Sequence, residues 1–143
     1  MPVRRAIGCV LLVAGCGGDL HDPADVLAER SAQGDTDCGT VRPPIGGAAS
    51  AEVDAARRCV LDALAAARPF RVLIDQGLPD GTGYLGWVDD GAVISELRYV
   101  LGGDEGSGGE ESIQWGTCVR LVDLGEDCGT ESRQLCFRCQ ESW

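Results

Sequence analysis

The sequence predicts an α+β fold, in which one main helix packs on an antiparallel β-sheet of about four to five strands stapled by disulfide bonds. Three observations support this prediction. Apolar residues recur at helical spacing over residues 51–67, and strand-like stretches separated by turn residues follow over 70–140. The chain beyond residue 37 also carries six cysteines, an even number that is typical of a disulfide framework in a small exported domain.

The main helix has signals at both of its ends. Ser50 is placed as an N-cap, and Glu52 and Asp54 in the first turn complement the positive end of the helix dipole. Pro69 disfavours helical geometry at the residue before it, so the helix is predicted over about 51–67. Its apolar stripe consists of Val53, Ala56, Val60, Ala63, Leu64 and Ala67.

Strand-like stretches are predicted at residues 70–74, 84–88, 92–101, 113–121 and 133–140. The turn sequence Asp89-Asp90-Gly91 joins the second and third stretches as a hairpin. Alternation in the third stretch puts Val93, Leu97, Tyr99 and Leu101 on one face of the sheet. With a single helix to cover it, only one face of this sheet is expected to be fully packed.

The first fifteen residues have the order of a secretory signal peptide. A basic head with Arg4 and Arg5 precedes an apolar run over residues 6–15. That run is only ten residues long, whereas a helix that crosses a bilayer needs about 20 residues. The segment is therefore interpreted as a cleaved signal peptide and not as a transmembrane anchor.

The sequence Val13-Ala14-Gly15-Cys16 resembles the lipobox of bacterial lipoproteins, in which an aliphatic and two small residues precede an obligatory cysteine. The resemblance implies cleavage before Cys16 and its lipidation with a diacylglyceryl group and usually a further amide-linked chain such as palmitate. Cys9 also follows a glycine, but it lies too close to the arginines to leave an apolar segment. Gly17 follows the lipidated cysteine, which weakly favours the outer membrane over the inner one.

The predicted organisation has three parts. Residues 1–15 form the lipoprotein signal peptide, residues 16–37 a lipidated flexible spacer, and residues 38–143 a single small disulfide-bonded α+β domain. The spacer contains the only histidine, His21, which is expected to be solvated, and Asp22-Pro23 has the arrangement of a short helix start.

The body is similar to small cysteine-containing lipoproteins of high-GC Gram-negative bacteria. The similarity lies in Cys38-Gly39, Arg58-Cys59, Arg68-Pro69-Phe70 and the short interval from Trp115 to Cys118. It implies a place in the cell envelope and no particular activity.

The charge of the chain restricts its partners. The net charge is −11, and loss of two arginines with the signal peptide takes it to −13. Such an acidic body repels nucleic acid, so none is expected as a partner. The membrane, through the N-terminal lipid, and possible envelope proteins are the partners that the sequence favours.

The body cysteines are predicted to form structural disulfides, because exported thiols tend to oxidise. The favoured pairing joins one early pair and places two bridges within a later group of four, leaving metal or redox use of the C-x-x-C sequence 136–139 as the alternative. The early pair is Cys38 and Cys59, and the later group is Cys118, Cys128, Cys136 and Cys139.

No catalytic residue, metal site or cofactor is predicted. His21 is the only imidazole, and the carboxylates in the glycine-rich stretch 102–111 lack the order of an EF-hand loop. The sequence favours a non-enzymatic structural or protein-interaction lipoprotein; the alternative is a small carbohydrate-active or other hydrolytic lipoprotein that uses carboxylates.

Arg98 and Arg120 are the predicted anchors of a protein partner on the uncovered face. That face is expected to carry Ile94, Glu96, Arg98 and Val100 from one strand and Ser112, Gln114 and Arg120 from another.

Overall fold

A computed structural model describes residues 20–44, 50–77, 81–102, 110–128 and 135–141 of the chain. The predicted signal peptide, Cys16 and most of the acidic stretch 102–111 lie outside these residues. The described helices are α1 (Pro23–Ala28), α2 (Ala51–Ala65) and a 3-10 turn (Gly125–Cys128). The described strands are β1 (Thr36–Val41), β2 (Phe70–Asp75), β3 (Gly81–Asp89), β4 (Ile94–Gly102), β5 (Glu110–Asp123) and β6 (Phe137–Glu141).

The six strands form one sheet in chain order, β1-β2-β3-β4-β5-β6. β1 is parallel to β2, and the remaining neighbours are antiparallel. The fold is thus α+β in outline, but the prediction of four to five antiparallel strands with one helix is wrong in detail. The additional strand is β1, whose mostly polar sequence lacks the alternation of apolar residues that marks a strand.

Helix α2 forms as predicted from its N-terminal signals. The Ser50 side chain accepts a hydrogen bond from the Val53 amide, and the helix ends at Ala65, two residues before the expected end. Ala56, Val60 and Ala63 are buried against β1 and β2, the strands that α2 contacts. The helix thereby covers the parallel pair at one edge of the sheet.

Helix α1 shows that the folded region begins before residue 38, where the sequence analysis placed the boundary. Asp22 caps the helix by accepting a hydrogen bond from the Ala24 amide, and Pro23 occupies its first turn. Val26 and Leu27 are buried at 5% and 2% exposure. Residues 23–37 therefore contain a helix and the start of β1, not a flexible spacer, because two apolar side chains anchor them to the sheet.

The two helices cover opposite faces of the sheet. Helix α1 packs over the face with Leu73, Leu97 and Tyr99, whereas α2 lies over the face with Val72 and Trp87. The predicted common face is confirmed for Leu97, Tyr99 and Leu101, although α1 and not α2 covers it. Val93, predicted to share this face, precedes β4 and is exposed.

The face of Ile94 and Glu96, predicted to be uncovered, belongs to the α2 side of the sheet. Ile94 packs against the α2 core, and Glu96 is only 6% exposed. The prediction of an open face is therefore wrong for this part of β4.

The C-terminal strands curl back toward α2. Trp87 on β3 contacts Phe137 on β6 edge to face, with ring centroids 6.2 Å apart, although β4 and β5 lie between them in the sheet order. Arg57 of α2 holds this arrangement by donating a 2.9 Å hydrogen bond to the Leu135 carbonyl and pairing with Asp123. The curl therefore brings β6 against the face of β3 that carries Trp87.

Three disulfides join the body cysteines: Cys38–Cys59, Cys118–Cys139 and Cys128–Cys136. The first ties β1 to α2, the second ties β5 to β6, and the third closes the segment between those strands. The predicted pairing of Cys38 with Cys59, and of the later four among themselves, is confirmed.

Candidate functional site

A groove of about 350 Å³ opens between β3, β4 and the curled strand β6, and it is a candidate site for a ligand. Apolar and polar side chains share its lining in nearly equal parts. Its lining residues are Gln76, Tyr84, Leu85, Trp87, Glu96, Arg98, Val100, Phe137, Arg138 and Cys139.

The floor of the groove is built from a buried tryptophan and a buried carboxylate. Trp87 is 1% exposed and Glu96 is 6% exposed, and they are directly paired across β3 and β4. The indole Nε1–H of Trp87 donates a 3.0 Å hydrogen bond to Oε2 of Glu96. The alternation of both strands brings these two side chains to the same face.

Glu96 is held by charge as well as by the indole. The Nε–H of Arg98, two residues along β4, donates a 2.8 Å hydrogen bond to Oε1 of Glu96. A buried carboxylate is costly unless hydrogen bonds and an opposite charge compensate it, and here both of its oxygens are engaged. Glu96 is therefore built into the floor of the groove as a fixed, compensated charge.

Two arginines give the groove a local positive charge. The Arg98 side chain is 61% exposed beyond its contact with Glu96, and Arg138 is exposed on β6. Both guanidinium groups line the groove, on a chain whose net charge is −11. The arrangement suits an anionic or hydrogen-bond-accepting group beside aromatic rings.

The ligand atoms of three residues lie within 4.8 Å of one another, close enough to hold one metal ion: these are Glu96, Cys118 and Cys139. The two sulfurs are bonded to each other, so they do not present the thiolates that zinc requires. In the oxidised chain this set is therefore a partly buried disulfide next to a carboxylate.

The predicted anchors Arg98 and Arg120 are not brought together. Arg98 pairs with Gln114 on β5. Gln114 lies six residues before Arg120, so roughly 20 Å of strand separates Arg120 from the position opposite Arg98. A register shift between Cys118 and Arg120 also changes the alternation of β5. Only Arg98 lines the groove, and Arg120 is exposed elsewhere on the sheet.

His21, expected to be solvated, is bound to the sheet. Its backbone amide donates a 2.9 Å hydrogen bond to Oε1 of Glu111, and its Nδ1 lies 3.0 Å from Oε2. The hydrogen bond from the imidazole to the Glu111 carboxylate raises the pKa of His21, and the bonds that Glu111 accepts from the imidazole and the backbone amide of His21 lower the pKa of Glu111. The His21 side chain stays 59% exposed, so this is a surface ion pair.

No helix in the described part of the chain is long and apolar enough to span a bilayer. Comparison of the chain with protein-family models, with curated proteins and with solved structures gives no match.

Proposed function

We propose that the chain is a bacterial cell-envelope lipoprotein, lipidated at Cys16, whose disulfide-bonded domain serves as a structural or protein-interaction module. The observation that supports export is the complete pairing of the six body cysteines into three disulfides. Such bridges form and persist in oxidising compartments outside the cytosol. A signal peptide ending in a lipobox supplies both the route of export and the anchor.

Lipidation is tested by expressing the full chain in a bacterial host and measuring the intact mass of the detergent-extracted protein. We expect an acylated N-terminal Cys16 and recovery in the membrane fraction. Cys16→Ser should abolish both the added mass and the membrane recovery, because the thiol that receives the lipid is gone. Cys9→Ser is the matched control, since Cys9 also follows a glycine within the leader.

A soluble wild-type product cleaved at another position, or loss of acylation in Cys9→Ser instead of Cys16→Ser, would contradict the proposed anchor. Separation of inner and outer membranes on a density gradient then tests the location. We expect the outer-membrane fraction, because Gly17 and not an aspartate follows Cys16.

We place the interaction site of the domain at the groove. Tyr84, Arg98 and Arg138 line it, and tyrosine and arginine are enriched where proteins bind partners. Among the described lining residues Glu96 is the only carboxylate, whereas a glycosidase of the usual kind needs two. This composition supports binding over hydrolysis as the function of the groove.

The interaction is tested by photocrosslinking in intact envelopes with the variants Arg138→Gln and Arg120→Gln. Both arginines are exposed, but only Arg138 lines the groove. We expect Arg138→Gln to reduce a specific crosslinked species and Arg120→Gln to leave it unchanged, with equal melting temperatures for the two variants. Equal loss in both variants, or loss only in Arg120→Gln, would show that the groove is not the contact surface.

A further inference from the structure

The segment that follows the lipobox is clamped to one end of the sheet. The backbone amide and the imidazole of His21 both bind the carboxylate of Glu111 on β5. The hydroxyl of Tyr99 on the adjacent strand β4 donates a 3.0 Å hydrogen bond to the backbone carbonyl of His21. Residue 21 is therefore fixed on both of its backbone polar groups by two neighbouring strands.

The next ten residues reinforce this clamp. Leu27 is 2% exposed and lies against Gly86 and Leu73 on the sheet. The guanidinium of Arg30 stacks 4.0 Å above the centre of the Trp115 ring, a cation–π contact. The chain is therefore also held on the sheet by α1, directly after residue 21.

The chain between the clamp and the lipid is short. Only four residues, 17–20, separate Cys16 from His21. Five extended residue steps span at most about 18 Å, so His21 must lie within roughly that distance of a lipid-bearing Cys16. This is much less reach than a flexible spacer of twenty residues would give.

The clamp lies at one end of the long strands. Glu111 pairs with Leu101, near the end of β4, whereas Ile94 pairs with Cys118 at the end that adjoins the β3–β4 turn. Seven residues at ~3.4 Å each separate these positions, about 24 Å along the strands. The turn over residues 90–93 thus lies at the end opposite the clamp.

We propose that the domain is mounted end-on at the lipid surface, with the clamp end of β4 and β5 facing the bilayer and the turn at residues 90–93 facing away. The proposal rests on the proposed lipidation of Cys16. The tether of at most about 18 Å holds the clamp end at the lipid surface, whereas the turn lies about 24 Å further along the strands. The outward end then presents the exposed Val93 and Val119 to other envelope components.

The orientation is tested with the lipidated protein in vesicles of phosphatidylethanolamine and phosphatidylglycerol that carry a nitroxide on the headgroup. A small fluorophore is attached through an unnatural ketone side chain at position 110 or at position 92, both of which are exposed. We expect quenching by the nitroxide headgroups at position 110 and none at position 92. Equal quenching at both positions, or stronger quenching at position 92, would overturn end-on mounting.

The double variant Tyr99→Phe, Glu111→Ala removes both partners of His21 and leaves the buried aromatic ring in place. The difference in quenching between the two positions should then shrink, because the tether gains length as residues 21 and 22 detach. An unchanged difference would show that the clamp does not set the orientation. Flotation of every variant with the vesicles verifies the lipid anchor first, so failure to float refutes the proposed lipidation, whereas flotation without the difference refutes the orientation alone.

Discussion

Replacing Gly86 with alanine tests whether α1 is packed on the sheet. A Cβ atom at Gly86 would lie 2.8 Å from Cδ1 of Leu27, 3.1 Å from Cδ1 of Leu73 and 3.3 Å from the carbonyl oxygen of Val72. The first contact is too short for a carbon pair, so the Leu27 side chain must move. Helix α1 approaches the sheet this closely only because position 86 has no side chain.

The expected cost follows from these contacts. Overpacking a close-packed core typically costs about 1–3 kcal/mol. Alanine in place of glycine returns about 0.4–1 kcal/mol by restricting the unfolded chain, since position 86 is in a strand. The flexible ends of Leu27 and Leu73 can shift, whereas the Val72 carbonyl cannot. We therefore expect Gly86→Ala to lower the free energy of unfolding by about 1–2 kcal/mol.

The assay is urea denaturation of the oxidised protein, with Gly116→Ala as the control because no atom lies within 4 Å of a Cβ built there. A double-mutant cycle with Leu27→Ala isolates the contact between the two positions. Truncating Leu27 creates space, so Gly86→Ala should cost at least ~0.5 kcal/mol less in that background. An equal cost in both backgrounds would refute the packing of α1 on β3.

Three further outcomes are expected. Cys38→Ala combined with Cys59→Ala should lower the free energy of unfolding by about 3 kcal/mol in urea denaturation, since the bridge spans 21 residues of sequence separation. Glu96→Leu should cost about 1–3 kcal/mol in the same measurement by leaving a buried indole N–H without an acceptor, and Glu96→Gln should cost less. In a proton NMR titration, Glu111→Gln should lower the pKa of His21 toward its ordinary value near 6.5, because the carboxylate raises it. The contribution of the charged His21 imidazole to the free energy of unfolding is therefore fully present below pH 6.5, and it is lost as the pH rises through the raised pKa of His21 in the folded protein.

The sequence predicts those elements whose signals are local. Helix α2 has a cap, an apolar stripe and a following proline, and the β3–β4 hairpin has a strong turn sequence, so both appear where expected. Strand β1 lacks such a signal, because it is a polar strand held by parallel pairing to β2 and by the bridge from Cys38. Helix α1 has a cap, but its packing depends on the absence of a side chain at Gly86, more than fifty residues away.

The disulfides and the groove also differ in whether local sequence signals predict them. The closeness in sequence of Cys118, Cys128, Cys136 and Cys139 predicts two bridges within this group, but it leaves the pairing open. Cys118 joins Cys139 because β5 and β6 are neighbouring strands, and Cys128 then pairs with Cys136. The groove requires Phe137 to return to Trp87 across two intervening strands, which no local pattern encodes. The hydrogen bond between Arg57 and the C-terminal segment is the long-range contact that the sequence could not reveal.

The register shift in β5 separates the two arginines that the sequence analysis grouped together. Strict alternation would put Cys118 and Leu121 on opposite faces of the sheet, yet both belong to the α2 core. The register shift between them therefore turns Arg120 to the face opposite the α2 core. Arg98 is held by the buried Glu96, whereas Arg120 lies beside the exposed Val119 near the outward end of the sheet.

Arg98→Glu should therefore lower the melting temperature, because it removes the positive charge that compensates the buried Glu96 carboxylate and adds a second negative charge beside it. Arg120→Glu should leave the melting temperature nearly unchanged, so a loss of partner binding in that variant alone would assign the contact to the outward end and not to the groove.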